Sequence, residues 1–397
     1  MGRFFQALEK VRRFRSKPWK NSGVFFQGLE TAVRLGYKRA VGLLLEQLNM
    51  GSMMRGLVLA LWLGAQLFAA AREVTFLSTS DSHYRQTDHK LGHHNDLNRA
   101  TIEEMNRVAS LDWPEKLGGG KMAKPRGVVV LGDLIDDGDV RLNGRKISAE
   151  QYQLFRADFG LDGTDGVLKF PAFEGWGNHD GPPEGKEKNG FSSQGEIRKR
   201  NLVRKEKGLI SNVSANGLHY SWDWDDVHFV QLNLYPADKQ RVGLKYSPVW
   251  HDPQGSLAFL KQDLAEKVGK SGRPVVLMSH CGFDTDWWVP ADWKDVYDAA
   301  HDYNIVLYLY GHSGTGVRKW APEGETQKWD CINDGQTDKG FFVIQLTDGR
   351  LRAAMRVKTG VKVTKQPDGA MHHEWSGGWE WKWFMDKTIS PPGKVAR

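Results

Sequence analysis

Cysteine is scarce in this chain, with two in 397 residues, Cys281 and Cys331. Two residues cannot build a disulfide scaffold, and no closely spaced pair is present to hold a structural zinc. In an oxidising compartment they could form one bridge, and otherwise they would sit as buried thiols; the sequence leaves both open. Internal repeats and low-complexity tracts are absent. So is a full-length apolar run: a membrane span needs about 20 apolar residues, whereas residues 56–71 (GLVLALWLGAQLFAAA) offer 16. Net positive charge is lacking in most of the chain. The formal net charge is +7, but residues 1–55 carry 11 Lys/Arg against 3 Asp/Glu, a net of +8, leaving 7 − 8 = −1 for the remainder. A near-neutral body argues against nucleic acid as a partner, because such binding wants a basic face. What the chain does have is a 40% hydrophobic fraction and 16 tryptophans, enough for one large core or two ordinary ones.

Residues 56–71 follow Arg55 and end in small residues, the pattern of a secretory signal peptide with cleavage after Ala71. Such a leader belongs at an N-terminus, and Met50, Met53 and Met54 stand just before it. The expectation is that translation starts at one of these and that residues 1–49 are not part of the working protein. Two other readings are a short signal-anchor and a buried helix. The expected location is therefore secreted or periplasmic, with anchoring by residues 56–71 as the alternative. The domain reading is a basic extension over 1–55, the leader-like segment over 56–71, a catalytic domain over 72–360, and a Trp-rich tail over 361–397 packed on that domain.

Beyond residue 72, short apolar runs alternate with helical patterns. Strands are predicted at Val74–Ser78, Gly127–Leu131, Phe170–Trp176, His228–Leu234, Pro274–Met278, Asn304–Tyr310, Gly340–Leu346 and Leu351–Val357, the last two joined by an Asp348-Gly349 hairpin signal. Helices are predicted at Asn98–Ser110, Ala149–Phe159, Gly195–Glu206, Ser256–Lys267 and Trp293–Tyr303. The stretches after His83 and over 181–216 are too long for plain connections and read as insertions near a site.

Five polar motifs directly follow apolar runs: Asp81-Ser82-His83 after VTFLSTS, Gly132-Asp133-Leu134-Ile135-Asp136 after VVVL, Gly177-Asn178-His179-Asp180, Ser279-His280 after VVLM, and Gly311-His312 after IVLYLY. A single His after a strand is usually a core residue, and a single Gly-Asp is usually a turn. Five such pieces in series, each at the carboxyl end of a predicted strand, point to one crevice lined by oxygen and imidazole donors. Such donors suit Zn, Mn and Fe.

This ordered set resembles the calcineurin-like metallophosphoesterase superfamily over about residues 73–346. The resemblance implies an α/β fold, an α/β/β/α sandwich of two mixed β-sheets flanked by helices. It implies two divalent or trivalent metal ions (Fe, Mn or Zn), the first held by Asp81, His83 and Asp133. The second would be held by Asp133, Asn178, His280 and His312, with Asp133 bridging the two. It further implies a phosphate-ester substrate, a hydroxide nucleophile between the ions, His179 facing the leaving-group oxygen, and Asp136 orienting His179. Many members carry a second His after the last motif, also a ligand to the first metal; here Gly314 stands at that position. The Arg that follows the G-D-x-x-D element in the protein-phosphatase branch is replaced by Asp137, which argues against a protein phosphatase. Two rival readings are a nuclease-like diesterase of the same superfamily and a non-catalytic binding module that keeps the fold.

The residues alone leave several further features open. His89, His93 and His94 are either a third metal site or a solvated loop. Lys199, Arg200, Arg204 and Lys205 either reach substrate phosphate or form a solvated helix face. Tyr84 and Trp287-Trp288 either line the mouth of the site or pack.

Overall fold

The structure is a computed structural model that describes residues 72–138, 147–181, 191–237, 255–283 and 289–390. The basic extension, the leader-like segment, Trp287-Trp288 and Pro391-Pro392-Gly393 lie outside the described residues.

Thirteen strands are found among the described residues, in two sheets. In chain order they are β1 (Glu73–Thr79), β2 (Val128–Val130), β3 (Ala172–Glu174), β4 (Asn212–Val213), β5 (Tyr220–Trp224), β6 (Val227–Gln231) and β7 (Val275–Met278), then β8 (Ile305–Tyr310), β9 (Gly316–Trp320), β10 (Trp329–Asn333), β11 (Gly340–Thr347), β12 (Arg350–Lys365) and β13 (Met371–Thr388). The helices are α1 (Asn95–Asn106), α2 (Ile147–Phe159), α3 (Ser193–Glu206), α4 (Ser256–Asp263) and α5 (Pro290–Ala300). One sheet runs β13-β12-β11-β1-β2-β3 and the other β4-β5-β6-β7-β8-β10-β9. Each has a parallel centre, β1-β2-β3 in the first and β6-β7-β8-β10 in the second. Antiparallel strands flank both centres.

Alternating side chains build the layers. Val74 and Phe76 of β1, Val129 and Leu131, Phe173, Phe229, Val276 and Met278, and Leu307 and Leu309 form one buried cluster drawn from both sheets. The residues between them face outward onto helices: Val128 and Val130 share a second cluster with Ile102 and Met105 of α1 and Tyr152 and Phe155 of α2. On the other sheet, Leu277 and Tyr308 share it with Leu257 and Leu260 of α4 and Trp293 and Val296 of α5. Central strands covered on both faces read as unbroken apolar runs, which is why VVV, VVLM and IVLYLY are recognisable as strands. The result is the predicted α/β/β/α sandwich of two mixed sheets.

All five helices differ in extent from their sequence patterns, α2 and α3 only by starting two residues earlier. α1 starts earlier and breaks at Arg107, with Val108–Ser110 as a separate 3₁₀ turn. α4 ends at Asp263 and passes into a π-helical turn at Leu264–Val268. α5 begins at Pro290, whose fixed φ suits a first helical position.

The Trp-rich tail is part of the first sheet. β12 runs across residue 360, and β13 pairs with it from Lys365↔Met371 to Arg350↔Thr388. The tryptophans of β13 lie over cations of β12: Lys358 Nζ is 4.5 Å from the Trp379 ring centroid, and the Arg356 guanidinium is 5.0 Å from that of Trp381.

Candidate metal centre

The five polar motifs all sit where their strands end, and the fold brings them to one place. Asp81 N–H donates to Gly132 O (3.0 Å) and His83 N–H to Asp133 O (3.0 Å), so the loops after β1 and β2 run side by side. Asp180 joins the third loop to the second: its Oδ1 accepts from Leu134 N–H (2.9 Å) and Ile135 N–H (3.1 Å), and its Oδ2 from Gly177 N–H (2.8 Å). Gly177 must be glycine here, because a Cβ would lie 2.3 Å from Asp133 Oδ1. Behind the site, Asn233 Oδ1 accepts from Trp176 N–H (3.1 Å) and its carbonyl accepts from His280 N–H (2.6 Å), tying the loop after β6 to those after β3 and β7.

Four of the six candidate ligands occupy backbone conformations that side chains of L-residues rarely adopt. The φ values are 50° at Asp81, 41° at His83, 50° at Asp133 and 67° at His312. Such strain persists only where the surroundings over-determine it, and it collects at functional sites.

Their side chains converge. His280 Nε2 lies 3.2 Å from Asp133 Oδ2 and 3.0 Å from Asn178 Oδ1. His312 Nδ1 lies 2.9 Å from Asn178 Oδ1, and Asp81 Oδ2 accepts from His312 N–H at 3.0 Å. His83 Nε2 stands 3.6 Å from Asp81 Oδ1 and 3.7 Å from Asp133 Oδ2. Candidate ligand atoms of Asp81, Asp133 and His280 fall within 4.8 Å of one another, as do those of His83, Asp133 and His179. Asp133 is common to both groups.

These residues fit a cation pair on chemical grounds. Asp81 and Asp133 are buried almost without exposure, a costly placement for two carboxylates unless positive charge is close. With nothing else in the cleft, the imidazoles supply it. Burial opposes a charge on His280, but Asp133, then Asp81, outweigh it and push the ring up to about 9. Burial and the His280 charge hold His312 down to about 4, leaving a neutral ring with a lone pair for a ligand. The outward nitrogens are already fixed. His280 Nδ1–H donates to Leu131 O (3.1 Å), which points Nε2 at the carboxylates, and His83 Nδ1 faces Asp136 Oδ1 at 3.2 Å. A carboxylate or carbonyl behind a ligating histidine is the usual way its tautomer and ring plane are set.

All six sequence-predicted ligands are therefore neighbours. His179 is at the rim, with a side chain 43% exposed, its N–H donating to Asp133 Oδ1 at 2.8 Å. Its Nδ1 lies 2.9 Å from the main-chain oxygen of Asp136 and 3.7 Å from the carboxylate. Asp136 instead turns its carboxylate to His83 and to Arg85 Nε (2.8 Å). Arg85 was not singled out from the sequence, although its place two residues after His83 was available as a hint. Cys281 was not singled out as a donor either; its thiol lies within 4.8 Å of nitrogens of His280 and His312. Cys281 and Cys331 are both buried and are not bridged to each other.

Of the remaining candidates, His89 is buried, with Nδ1 accepting from Leu91 N–H (3.2 Å) and Nε2 facing Asp137 Oδ2 (3.0 Å), and it forms with Asp136 and Asp137 a further group of donor atoms within 4.8 Å of one another; Arg85 already pairs Asp136. His94 is buried against Ser82 O (3.1 Å). Arg200 and Arg204 turn inward to Glu174, so they are neither on a solvated face nor at a substrate, while Lys199 and Lys205 of the same helix are exposed. Tyr84 is buried and donates to Asp158 Oδ2 (2.7 Å).

Residues 74–315 match the calcineurin-like phosphoesterase family, and the chain belongs to that family. The family is metal-dependent, and its enzymes hydrolyse phosphoester bonds. No curated protein sequence matches the chain. Among solved structures it is similar to GAP50, the anchor in the inner membrane complex of Plasmodium, at 12% identity and a TM-score of 0.43, over 80% of this chain and 89% of that one. It is also similar to the TT1561 protein of Thermus thermophilus, at 13% identity and a TM-score of 0.36, over 69% and 94%. Among the described residues no helix is long and apolar enough to cross a membrane.

Proposed function

We propose that the protein hydrolyses phosphate esters at a dinuclear metal site, with Asp81, His83 and Asp133 holding one ion and Asp133, Asn178, His280 and His312 the other. The ions would be Fe, Mn or Zn, in keeping with oxygen and imidazole donors. The observation that supports this reading is the place of Asp133: a buried carboxylate common to two groups of donor atoms, one with Asp81 and His280 and the other with His83 and His179. When bound, two such ions neutralise the phosphate charge and make hydroxide available near neutral pH.

The chain's own residues do the rest. Asp136, itself held by Arg85, stands behind His83, and Leu131 O fixes His280. His179 lies at the rim with Nδ1–H committed to the Asp136 carbonyl, so Nε2 is the nitrogen that, when the ring carries a second proton, can give it to a leaving oxygen and keep the neutral Nδ1–H tautomer. Asp180 fastens the His179 loop to the Asp133 loop, so the proton donor and the ligands move as a unit. We further propose that the working protein is exported, on the strength of the leader pattern at 56–71.

The test is elemental analysis of the purified protein, followed by assay of chromogenic mono- and diesters with added Mn, Zn or Fe. Metal-dependent turnover that Asp133→Asn abolishes is expected. Full activity in Asp133→Asn would dismiss the assignment.

A further inference from the structure

We propose that the pocket beside this site is a subsite that selects phosphate esters carrying a flat aromatic ring, and that Trp383 is the surface on which that ring stacks; this rests on the phosphoesterase reading above. The pocket has a volume of about 520 Å³ and is lined by the candidate ligands Asp81 and His312 together with Gly314, Lys339 and Trp383. A group held there is next to the reacting centre.

Trp383 is built into that wall at a cost to the backbone. In the β12–β13 ladder Ala353 pairs with Met385 and Met355 with Lys382, so Trp383 and Phe384 together face Ala354 alone. The bulge re-aims the side chain, a device that recurs beside active sites. Trp383 adopts φ 53°, a rare conformation for a bulky residue, and it remains 45% exposed, among the most exposed large apolar side chains of the described residues. A tryptophan placed only for stability would be buried and unstrained.

Its ring is also braced. Gly316, at the start of β9, comes so close that a Cβ there would stand 3.1 Å from Trp383 Cε3. The absence of a side chain at 316 lets the indole rest on the backbone, which stiffens it as a platform. Gly314 contributes by what it leaves out. At φ 78° it carries no side chain, and an added Cβ would meet nothing closer than Asn333 Nδ2 at 3.7 Å. Gly314 thus lines the pocket together with Trp383 without filling it. Lys339 also lines the pocket and is paired to Asp338, its Nζ 2.6 Å from Oδ2.

The test compares benzyl phosphate with butyl phosphate, both esters of primary alcohols, in the full-length metal-loaded protein and its Trp383→Ala, Trp383→Leu and Trp383→Phe variants. Stacking on an aromatic side chain predicts that the benzyl-to-butyl ratio of kcat/KM falls about tenfold in Trp383→Ala and Trp383→Leu, mainly through KM for the benzyl ester. Trp383→Phe should keep the ratio within about threefold of the parent. An unchanged ratio in the folded Ala or Leu variant, or an equal fall in the Phe variant, overturns the proposal. Should the parent hydrolyse neither ester, the phosphoesterase reading fails on its own, and calorimetry with benzylphosphonate decides the subsite. Binding about tenfold tighter to the parent than to the Leu variant upholds it, and equal binding refutes it.

Discussion

Asp136 offers His179 its main-chain oxygen and not its carboxylate: Nδ1 is 2.9 Å from the former and 3.7 Å from the latter. The carboxylate faces His83 Nδ1 at 3.2 Å and Arg85 Nε at 2.8 Å. Burial opposes its charge, but His83 and Arg85 outweigh that and hold the carboxyl well below the usual range. Asp136 is thus placed as a positioning residue for a candidate ligand. His179 depends on it only through the backbone, which no substitution at 136 removes.

Asp136→Asn should therefore act on metal retention. Removing the carboxylate behind a ligating histidine typically costs about 10–100-fold in metal affinity or activity. The expected outcome is a protein that loses metal on dialysis and regains most of its activity in excess metal. If the metal content stays at the parent level while turnover falls, the carboxylate serves the chemistry directly and the positioning role is wrong.

His179→Ala should do the opposite. The ring sits at the rim with Nδ1 held by the Asp136 carbonyl and is no member of the proposed ligand sets, so its removal should leave metal content unchanged and lower kcat by about 10²–10⁴, the range for a lost general acid. The loss should shrink as the leaving alcohol becomes more acidic, because a good leaving group needs no proton. A series of esters with graded leaving-group pKa measures this directly, and an equal loss across the series would remove His179 from that role.

The central strands were legible because they are covered on both faces: VVV, VVLM and IVLYLY are apolar throughout and end at turns, while their arrangement as a sandwich followed from the family resemblance of the motifs. The polar residues after those strands were legible for the same reason, since a strand end fixes where the next side chains go. The edges were not. β5 (YSWDW), β9 (GVRKW) and β10 (WDCIN) mix charge with aromatics, as strands with a less covered face do, and their pairing depends on distant partners. β13 contains Gly377-Gly378 and a bulge at Trp383, both of which break the alternation that would have marked a strand. Side-chain direction was likewise out of reach: nothing local to GDLIDD says that Asp136 turns toward residue 83.

Arg200 and Arg204 illustrate a further limit, since basic residues four apart on a helix look like a solvated face. In the fold both are buried against Glu174, with Arg200 Nε 2.5 Å from Oε1 and Arg204 contacting Oε2. Burial opposes charge on Glu174, but the two guanidinium groups outweigh it and lower its pKa. Glu174→Ala would leave two cations without their counter-ion in the interior, and breaking a buried pair in this way costs about 3–5 kcal/mol. Denaturant unfolding should register a loss of that size. A change below about 1 kcal/mol would mean that water reaches the arginines.

His228, on β6, gives stability a pH dependence independent of the metal centre. Its ring is fully buried, with Nδ1 2.7 Å from Asp223 Oδ1 and Nε2 2.7 Å from Asp263 Oδ2. Arg273 is the opposing neighbour, with Nη2 2.8 Å from Nδ1. Ser221 Oγ and Asn212 Nδ2 both donate to Asp263 Oδ1 at 2.7 Å. Burial opposes a charge on His228, but Asp223 and Asp263 outweigh it, and the folded pKa is raised. A raised histidine binds its proton more tightly in the folded state than in the unfolded one. Its contribution is therefore complete below the unfolded value of about 6.5 and is lost as pH rises through the folded value. His228→Gln keeps a polar side chain but cannot carry charge, so it should be less stable than the parent at pH 6 by about 2–4 kcal/mol. The gap should narrow steadily toward alkaline pH. Urea melts of both proteins at pH 6 and above pH 8 measure the gap directly, and a gap that is constant or widens with pH would show that the ring is neutral in the fold.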